Sequence, residues 1–326
     1  MDAEFEAVVA NFPPLQFDDP AAQRASFAEL RASIEPPRLP PNLEVLVDRS
    51  VRSADGHQVE ARVYLPADLS AHSPTLVWIH GGGYVVGTAD EDDSLCARIA
   101  SELGIGVVSV DYRLAPEHPY PAGFEDCYAV VTALASAGES AQFDRLGDGN
   151  IVIGGGSAGA GLAAAVALRL RDEGLVFVTG QILLYPFIDS TLGFDSMRRY
   201  ADGAIFNAHD AEVCWRHYLG AQRSAPAAYA SPSATTNLVG LPPAYVAAAG
   251  ADCLHDEAID YALRMIRAGV SVELHSFPDV PHGFTGVAPR TSASKRALSD
   301  LLEAVRRFGG LREAAPKPVL VAVSEE

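Results

Sequence analysis

Positive charge is scarce in this 326-residue chain: Lys and Arg together number 24 against 42 Asp and Glu, a formal net charge of −18. A surface with that balance repels phosphate backbones and anionic bilayers, which removes nucleic acid as an expected partner. Long hydrophobic runs are missing as well, so no segment is predicted to span a bilayer and no stable membrane anchor is expected. The amino terminus, MDAEFEAVVANFPPLQF, has neither the basic n-region nor the continuous apolar h-region of a signal peptide. Cysteine is limited to four residues, Cys96, Cys127, Cys214 and Cys253, spaced too widely for a disulfide framework or a C-x-x-C metal or redox motif. These absences point to a reducing cytoplasm. Internal repeats are lacking too, and the only compositional bias is scattered runs of alanine.

What is present is an ordinary globular balance, 48% hydrophobic and 20% charged, in a chain long enough for one large α/β domain or two small ones. Residues 1 to about 40 read as helical pieces broken by prolines: PAAQRASFAELRASIE has apolar residues at helical spacing and PPRLPPN stops it. LEVLVDRSV and QVEARVYLP then read as a hairpin, with Asp55-Gly56 supplying the turn. The later apolar runs TLVWIH, GVVSVDY, NIVIG, QILLYP, AYVAAAG and VELHSFP alternate with helical stretches. That alternation predicts an open, mostly parallel sheet of about eight strands covered on both faces, its first pair antiparallel, with ligands beyond the carboxyl ends of the strands. Between LLYPFID and LPPAYV more than fifty residues lack a clear strand, and a stretch that long predicts helix and loop over a site.

The segment IVIGGGSAGAGLAA, Ile151 to Ala164, admits two readings. A phosphate loop needs a lysine after its glycines, and none follows here; a dinucleotide fingerprint fits poorly, because this is the fifth strand and no acid ends the next one. The alternative is G-x-S-x-G over Gly155 to Gly159, which requires a strand before it and a helix after it, as NIVIG and AGAGLAAAVALRLRDEG provide. There the glycines are clearance around an exposed nucleophile, Ser157. Upstream, His80-Gly81-Gly82-Gly83 ends the third strand. An acyl-transfer oxyanion needs two or three backbone N–H donors, each worth about 3 kcal/mol to the transition state, and the donors are assigned to Gly82, Gly83 and Ala158.

A serine nucleophile needs a base and the base an orienting carboxylate. Of nine histidines, His57 and His72 lie in early polar turns, His118 in a proline-rich loop, His209 and His217 in the strandless insertion, His255 at a helix start and His275 inside a strand. His282, in FPDVPHGFTG after the last strand, is the expected base. Asp252 ends the strand AYVAAAGAD and is the expected acid, whereas Asp256 and Glu257 begin the next helix, where carboxylates are usually solvated. The order Ser157, Asp252, His282 is that of the α/β-hydrolase fold. DYRLAPEHPYPAGFEDC, with Asp111, Arg113, Glu117 and Asp126, is read as a scaffold for the oxyanion loop, and TADEDDS as a solvated helix start capped by Thr88. Tyr84, Phe206 and Trp215 are the aromatic residues expected at the substrate.

Taken together, HGGGYVVG, DYRLAPEHPYPAGFEDCY, GGSAGAGLAAAVAL and GADCLHDEAIDYALRMIRAGVSVELHSFPDVPHGF resemble the bacterial hormone-sensitive-lipase-like carboxylesterases over roughly residues 45 to 308. The resemblance implies an α/β-hydrolase fold with a helical cap, and hydrolysis of short- to medium-chain acyl esters by water through an acyl-enzyme, with no cofactor and no metal. It divides the chain into a cap segment (1–45), a catalytic domain (46–312, with a lid insertion at 188–222) and a tail (313–326), and implies a monomer or a homodimer through the last sheet edge. An amidase, formamidase or acyltransferase would use the same triad, and a non-catalytic small-molecule receptor is the alternative outside enzymes. Three positions depart from the family pattern: Gly156 where Asp is common, Cys253 for Pro, and His255 for Arg.

Overall fold

The computed structural model describes residues 2–33, 39–136, 138, 140–220 and 227–311. Two helices come first, α1 (Ala3–Ala10) and α2 (Pro20–Ala32); the Asp19 carboxylate accepts the Ala22 amide at the start of α2. The sheet follows as β1 (Leu43–Asp48), β2 (Glu60–Pro66), β3 (Thr75–Ile79), β4 (Gly106–Asp111), β5 (Ile151–Gly156), β6 (Val178–Leu184), β7 (Ala244–Ala251) and β8 (Val272–Pro281). Between and after them run α3 (Asp93–Leu103), α4 (Ala122–Leu134), α5 (Ala158–Asp172), α6 (Asp195–Arg199), α7 (Ala208–Leu219), α8 (His255–Arg267), α9 (Phe284–Val287) and α10 (Ser292–Phe308).

The strands lie in the order β1-β2-β4-β3-β5-β6-β7-β8. From β4 to β8 all pairings are parallel, and the β1–β2 hairpin is antiparallel as expected. A second antiparallel pairing was not foreseen: β2 runs against β4, from Glu60 opposite Asp111 to Tyr64 opposite Val107. The chain reverses between Pro66 and Thr75, and β3 then takes the centre of the sheet, leaving β4 to receive the hairpin.

Alternation along the strands feeds two cores. Val77 and Ile79 of β3 pack with Val130, Leu162, Val166 and Met265 from α4, α5 and α8, whereas Leu76 and Trp78 pack with Ile99, Leu301 and Val305 from α3 and α10. Every residue of β3 and β5 is buried, which is why they read as continuous apolar runs. Because β4 and β5 lie on opposite sides of β3, the carboxyl ends of β3 and β5 form the switch point of the sheet, where a crevice opens.

Of the acids of TADEDDS, Asp90 and Glu91 are exposed as a solvated helix start would have them, but Asp92 and Asp93 are not. The Thr88 side chain does not cap; its hydroxyl donates to Asp90. Asp92 accepts the Trp78 indole N–H at 2.7 Å, and Asp93 accepts from Arg62 and from the Tyr64 hydroxyl. Donors from β2 and β3 face these carboxylates and tie α3 to the sheet. Among the described residues no helix is long and apolar enough to cross a membrane. The tail at 313–326 and the last two residues of the 188–222 insertion lie outside the described residues.

Candidate active site

β5 ends at Gly156 and α5 begins at Ala158, so Ser157 alone makes the turn, with φ 56° and ψ −119°. A non-glycine residue in that region carries strain of about 1–3 kcal/mol, tolerated only when the surroundings over-determine it. Here they do. The Ser157 amide donates to the Leu184 carbonyl at 2.9 Å, and the Ser157 carbonyl accepts the amides of Gly161 and Phe187, each at 3.1 Å. The glycines are clearance: a Cβ on Gly155 would lie 2.4 Å from the Ile79 carbonyl oxygen, and one on Gly159 only 2.0 Å from it. Strand β3 and the start of α5 therefore touch backbone to backbone beside the serine.

Asp252 follows β7 and is 1% exposed; His282 follows β8 and, like Ser157, is 7% exposed. One Asp252 oxygen accepts the Leu254 amide at 3.0 Å and the other lies 2.7 Å from His282 Nδ1. His282 Nε2 lies 2.9 Å from Ser157 Oγ. A carboxylate at Nδ1 assigns the proton to that nitrogen and leaves Nε2 as an acceptor facing the hydroxyl. The three side chains come from the ends of β5, β7 and β8, separated in sequence by 95 and 30 residues (252 − 157 and 282 − 252) and brought together by parallel pairing.

The loop after β3 lies against this turn: a Cβ on Gly81 would be 3.4 Å from Ser157 Cβ. Among the described residues the amides of Gly82 and Gly83 donate to no protein acceptor, and Ala158, first in α5, has no intrahelical partner for its N–H. The loop is braced from behind. The Tyr112 hydroxyl donates to the His80 carbonyl at 3.1 Å, its ring stacks on the His80 imidazole, and the Ala115 amide donates to the Tyr84 carbonyl at 2.9 Å. Burial, the largest influence, lowers the pKa of His80. Arg113 pairs with the buried Asp126 and with Asp55, and Glu117 with Arg24 of α2, so the acids and arginine of DYRLAPEHPYPAGFEDC form a scaffold around the loop.

The aromatic candidates occupy different depths. Phe206 is nearest His282, with ring centroids 5.0 Å apart, and is in edge contact with Phe17 and Phe187. Tyr84 and Trp215 lie behind it, 2% and 1% exposed. The Tyr84 hydroxyl donates to the Phe187 carbonyl at 2.5 Å and its ring stacks on Tyr218 at 4.0 Å; Trp215 packs 4.6 Å from Phe187. The amino-terminal segment closes over this cluster: Asp18 pairs with His209 and Arg216 of α7, and the His217 ring contacts the Phe17 carbonyl.

Of the other histidines, His72 pairs with Asp148 and His275 with Asp300 and Glu273; His255 bridges Asp256 and Ser276. Glu257, expected to be solvated with Asp256, is instead buried at 1% exposure and accepts the amides of Ile188 and Asp189, because α8 turns its first turn under that loop. Burial pushes its pKa well above the ordinary value. Among the described residues no cluster of three or more His, Cys, Asp or Glu side chains could hold a metal ion. Two residues at the site escaped the sequence reading, Tyr185 and Thr285. Tyr185 reaches His282 only through the pairing of distant strands, Thr285 follows His282 by three residues and hydrogen-bonds the Tyr185 hydroxyl, and no local pattern marks either.

Residues 76–286 match the α/β-hydrolase fold family, and residues 14–116 match the carboxylesterase family. The chain is 37% identical to esterase LipI of Mycobacterium tuberculosis (strain H37Rv) over 274 residues, covering 83% of this chain and 84% of that protein. It is 35% identical to carboxylesterase NlhH of the same organism over 298 residues, 90% of this chain and 92% of that one. Among solved structures, one described as a bacterial heroin esterase superimposes with a TM-score of 0.86 at 38% identity, covering 95% of this chain and 98% of that one. The chain thus belongs to the α/β-hydrolase fold family, on its carboxylic ester hydrolase branch.

Proposed function

We propose that the chain is a serine carboxylesterase acting on short- to medium-chain acyl esters, with Ser157 as nucleophile, His282 as general base and acid, Asp252 as the carboxylate that orients it, and Gly82, Gly83 and Ala158 as oxyanion donors. The observation that carries this reading is the unbroken line of contacts from Asp252 through His282 to Ser157, 2.7 and 2.9 Å. Ser157 Oγ attacks the ester carbonyl while its proton passes to His282 Nε2. The carbonyl oxygen becomes an oxyanion facing the three amides. The tetrahedral intermediate collapses, the alkoxide leaves with the proton from His282, and the acyl group stays on Ser157. Water, deprotonated by His282, then releases the carboxylic acid and returns the proton to Ser157.

In this reading residues 1–45 and the insertion 188–222 form the cap over a catalytic domain spanning 46–312, Phe206 meets the substrate, and Tyr84 and Trp215 back it. The protein works in the cytoplasm, and the edge strand β8 is where a homodimer would pair. The test is hydrolysis of para-nitrophenyl esters from acetyl to palmitoyl. Ser157→Ala is expected to lose about 10⁴-fold or more in kcat while retaining its fold. Unchanged turnover would overturn the reading, and stoichiometric labelling of Ser157 by an organophosphate separates an enzyme from a receptor. Amide and alcohol-acceptor panels distinguish an esterase from an amidase, formamidase or acyltransferase.

A further inference from the structure

Gly156, immediately before the nucleophile, leaves a space that another part of the chain fills. A Cβ built there would lie 3.3 Å from Cε2 of Tyr185 and 3.4 Å from its hydroxyl oxygen. Tyr185 follows β6, is buried, and has φ 36°, a strained value for an aromatic residue. Its amide donates to the Ala247 carbonyl of β7 at 2.6 Å, which holds the residue in that conformation. The ring meets His282 edge to face, 5.1 Å between centroids at 71°, and packs against Phe284 at 5.9 Å. At its far end the hydroxyl forms a 2.7 Å hydrogen bond with Thr285, three residues beyond His282.

We infer that Tyr185 is a positioning residue for His282. Its ring occupies the volume beside Gly156, and its hydroxyl ties the serine turn to the loop that carries the base. The inference rests on the reading of His282 as the general base. Its physical content is orientation. Asp252 fixes one nitrogen of the imidazole, but a ring held at one point can still rock about that contact; a second wall, anchored through Thr285 to the imidazole's own loop, limits the swing of Nε2 toward Ser157. Misplacement by even an ångström costs turnover and not substrate affinity. A strained backbone at a site where three strands converge is where such a function is expected.

The test compares Tyr185→Phe, Thr285→Val, their double variant and Tyr185→Ala, using para-nitrophenyl acetate. Each of the first two removes one end of the hydrogen bond and leaves the packing, and each is expected to lower kcat about five-fold, the size of one lost neutral hydrogen bond, with KM unchanged. The double variant should fall no further than either single, because both delete the same contact. Tyr185→Ala should fall further, and Tyr185→Phe, which restores the ring, should recover most of that difference. Wild-type kcat in both single variants, or losses in the two that add in the double, overturns the inference even if Tyr185→Ala fails to fold. The underlying reading fails separately: a His282→Ala variant that keeps its turnover, or wild-type Ser157 that resists an organophosphate, removes the base itself whatever Tyr185 does.

Discussion

The two sides of the site are built from opposite materials. Around Ser157 the contacts are made by backbone: glycines at 155 and 159 let β3 and α5 meet, and the donors we propose for an oxyanion are main-chain amides. On the side of the proposed cap the contacts are made by side chains, with Phe17, Tyr84, Phe187, Phe206, Trp215 and Tyr218 in one aromatic cluster. Backbone geometry tolerates almost no change, because a single methyl would have to enter space held by a carbonyl. Side-chain packing is graded: rings can shift, and a smaller residue leaves a cavity in place of a clash. The difference predicts that chemistry is brittle to substitution in the turn while substrate range is tunable in the cap.

The largest effect should come from Gly159→Ala. Its Cβ would meet the Ile79 carbonyl oxygen at 2.0 Å, and no side-chain rotation relieves that. A loss of about 4 kcal/mol or more in urea unfolding is expected, among the largest single-site effects; a change below about 1 kcal/mol would contradict the backbone-contact account. Next is Phe206→Ala on the cap side. Removing a ring buried to 4% exposure should cost about 3 kcal/mol and open space beside His282. The acyl-length optimum in the para-nitrophenyl series should move toward longer chains while the fold persists. An unmoved optimum would place the substrate elsewhere.

A third prediction concerns Asp210, which opens α7 in a reciprocal cap with Asn207. Burial, its largest influence, pushes its pKa from the ordinary 3.8 up to about 6. The unfolded chain therefore releases this proton at lower pH than the folded one, and stability is lost as pH rises from about 4 through about 6. Asp210→Asn keeps an acceptor for the Asn207 amide and removes the charge. Its melting temperature should exceed that of the wild type at pH 7.5 and converge with it near pH 4, and parallel curves at both pH values would show that the carboxylate carries no such penalty. The smallest effect is expected for Gly156→Ala, the one turn glycine whose added methyl would meet a movable ring, 3.3 Å away, in place of a carbonyl. Its kcat should fall by about three-fold or less, since a few tenths of an ångström in Tyr185 absorb the contact. A loss of about 4 kcal/mol in urea unfolding, as for Gly159→Ala, would erase the distinction between the two materials.

Much of the molecule was readable before folding. The strands of the parallel core announce themselves because burial on both faces demands unbroken apolar runs such as TLVWI. Ser157, Asp252 and His282 were legible because each directly follows a strand, and parallel strands deliver their carboxyl ends to one edge. Other features were not. The antiparallel pairing of β2 with β4, the burial of Glu257 and the partners of Asp92 and Asp93 depend on which elements become neighbours, and composition does not encode that. Glu257 and Asp256 are adjacent on the same helix start, yet one is buried under the loop at 188–189 and the other reaches His255 and the Ser196 amide.

By itself the sequence determined the local steps of this protein: a strand-serine-helix turn cleared by glycines, a glycine-rich loop, and an aspartate and a histidine each placed after a strand. These follow from backbone sterics and periodicity, which act over a few residues. Only the tertiary structure decided that Tyr185 fills the space beside Gly156 and leans on His282, that Phe206 and not Tyr84 or Trp215 stands nearest His282, and that the segment between the two amino-terminal helices closes over α7. Those relations join residues tens to hundreds of positions apart, and they come from packing, where any well-shaped neighbour serves and no local pattern names it in advance.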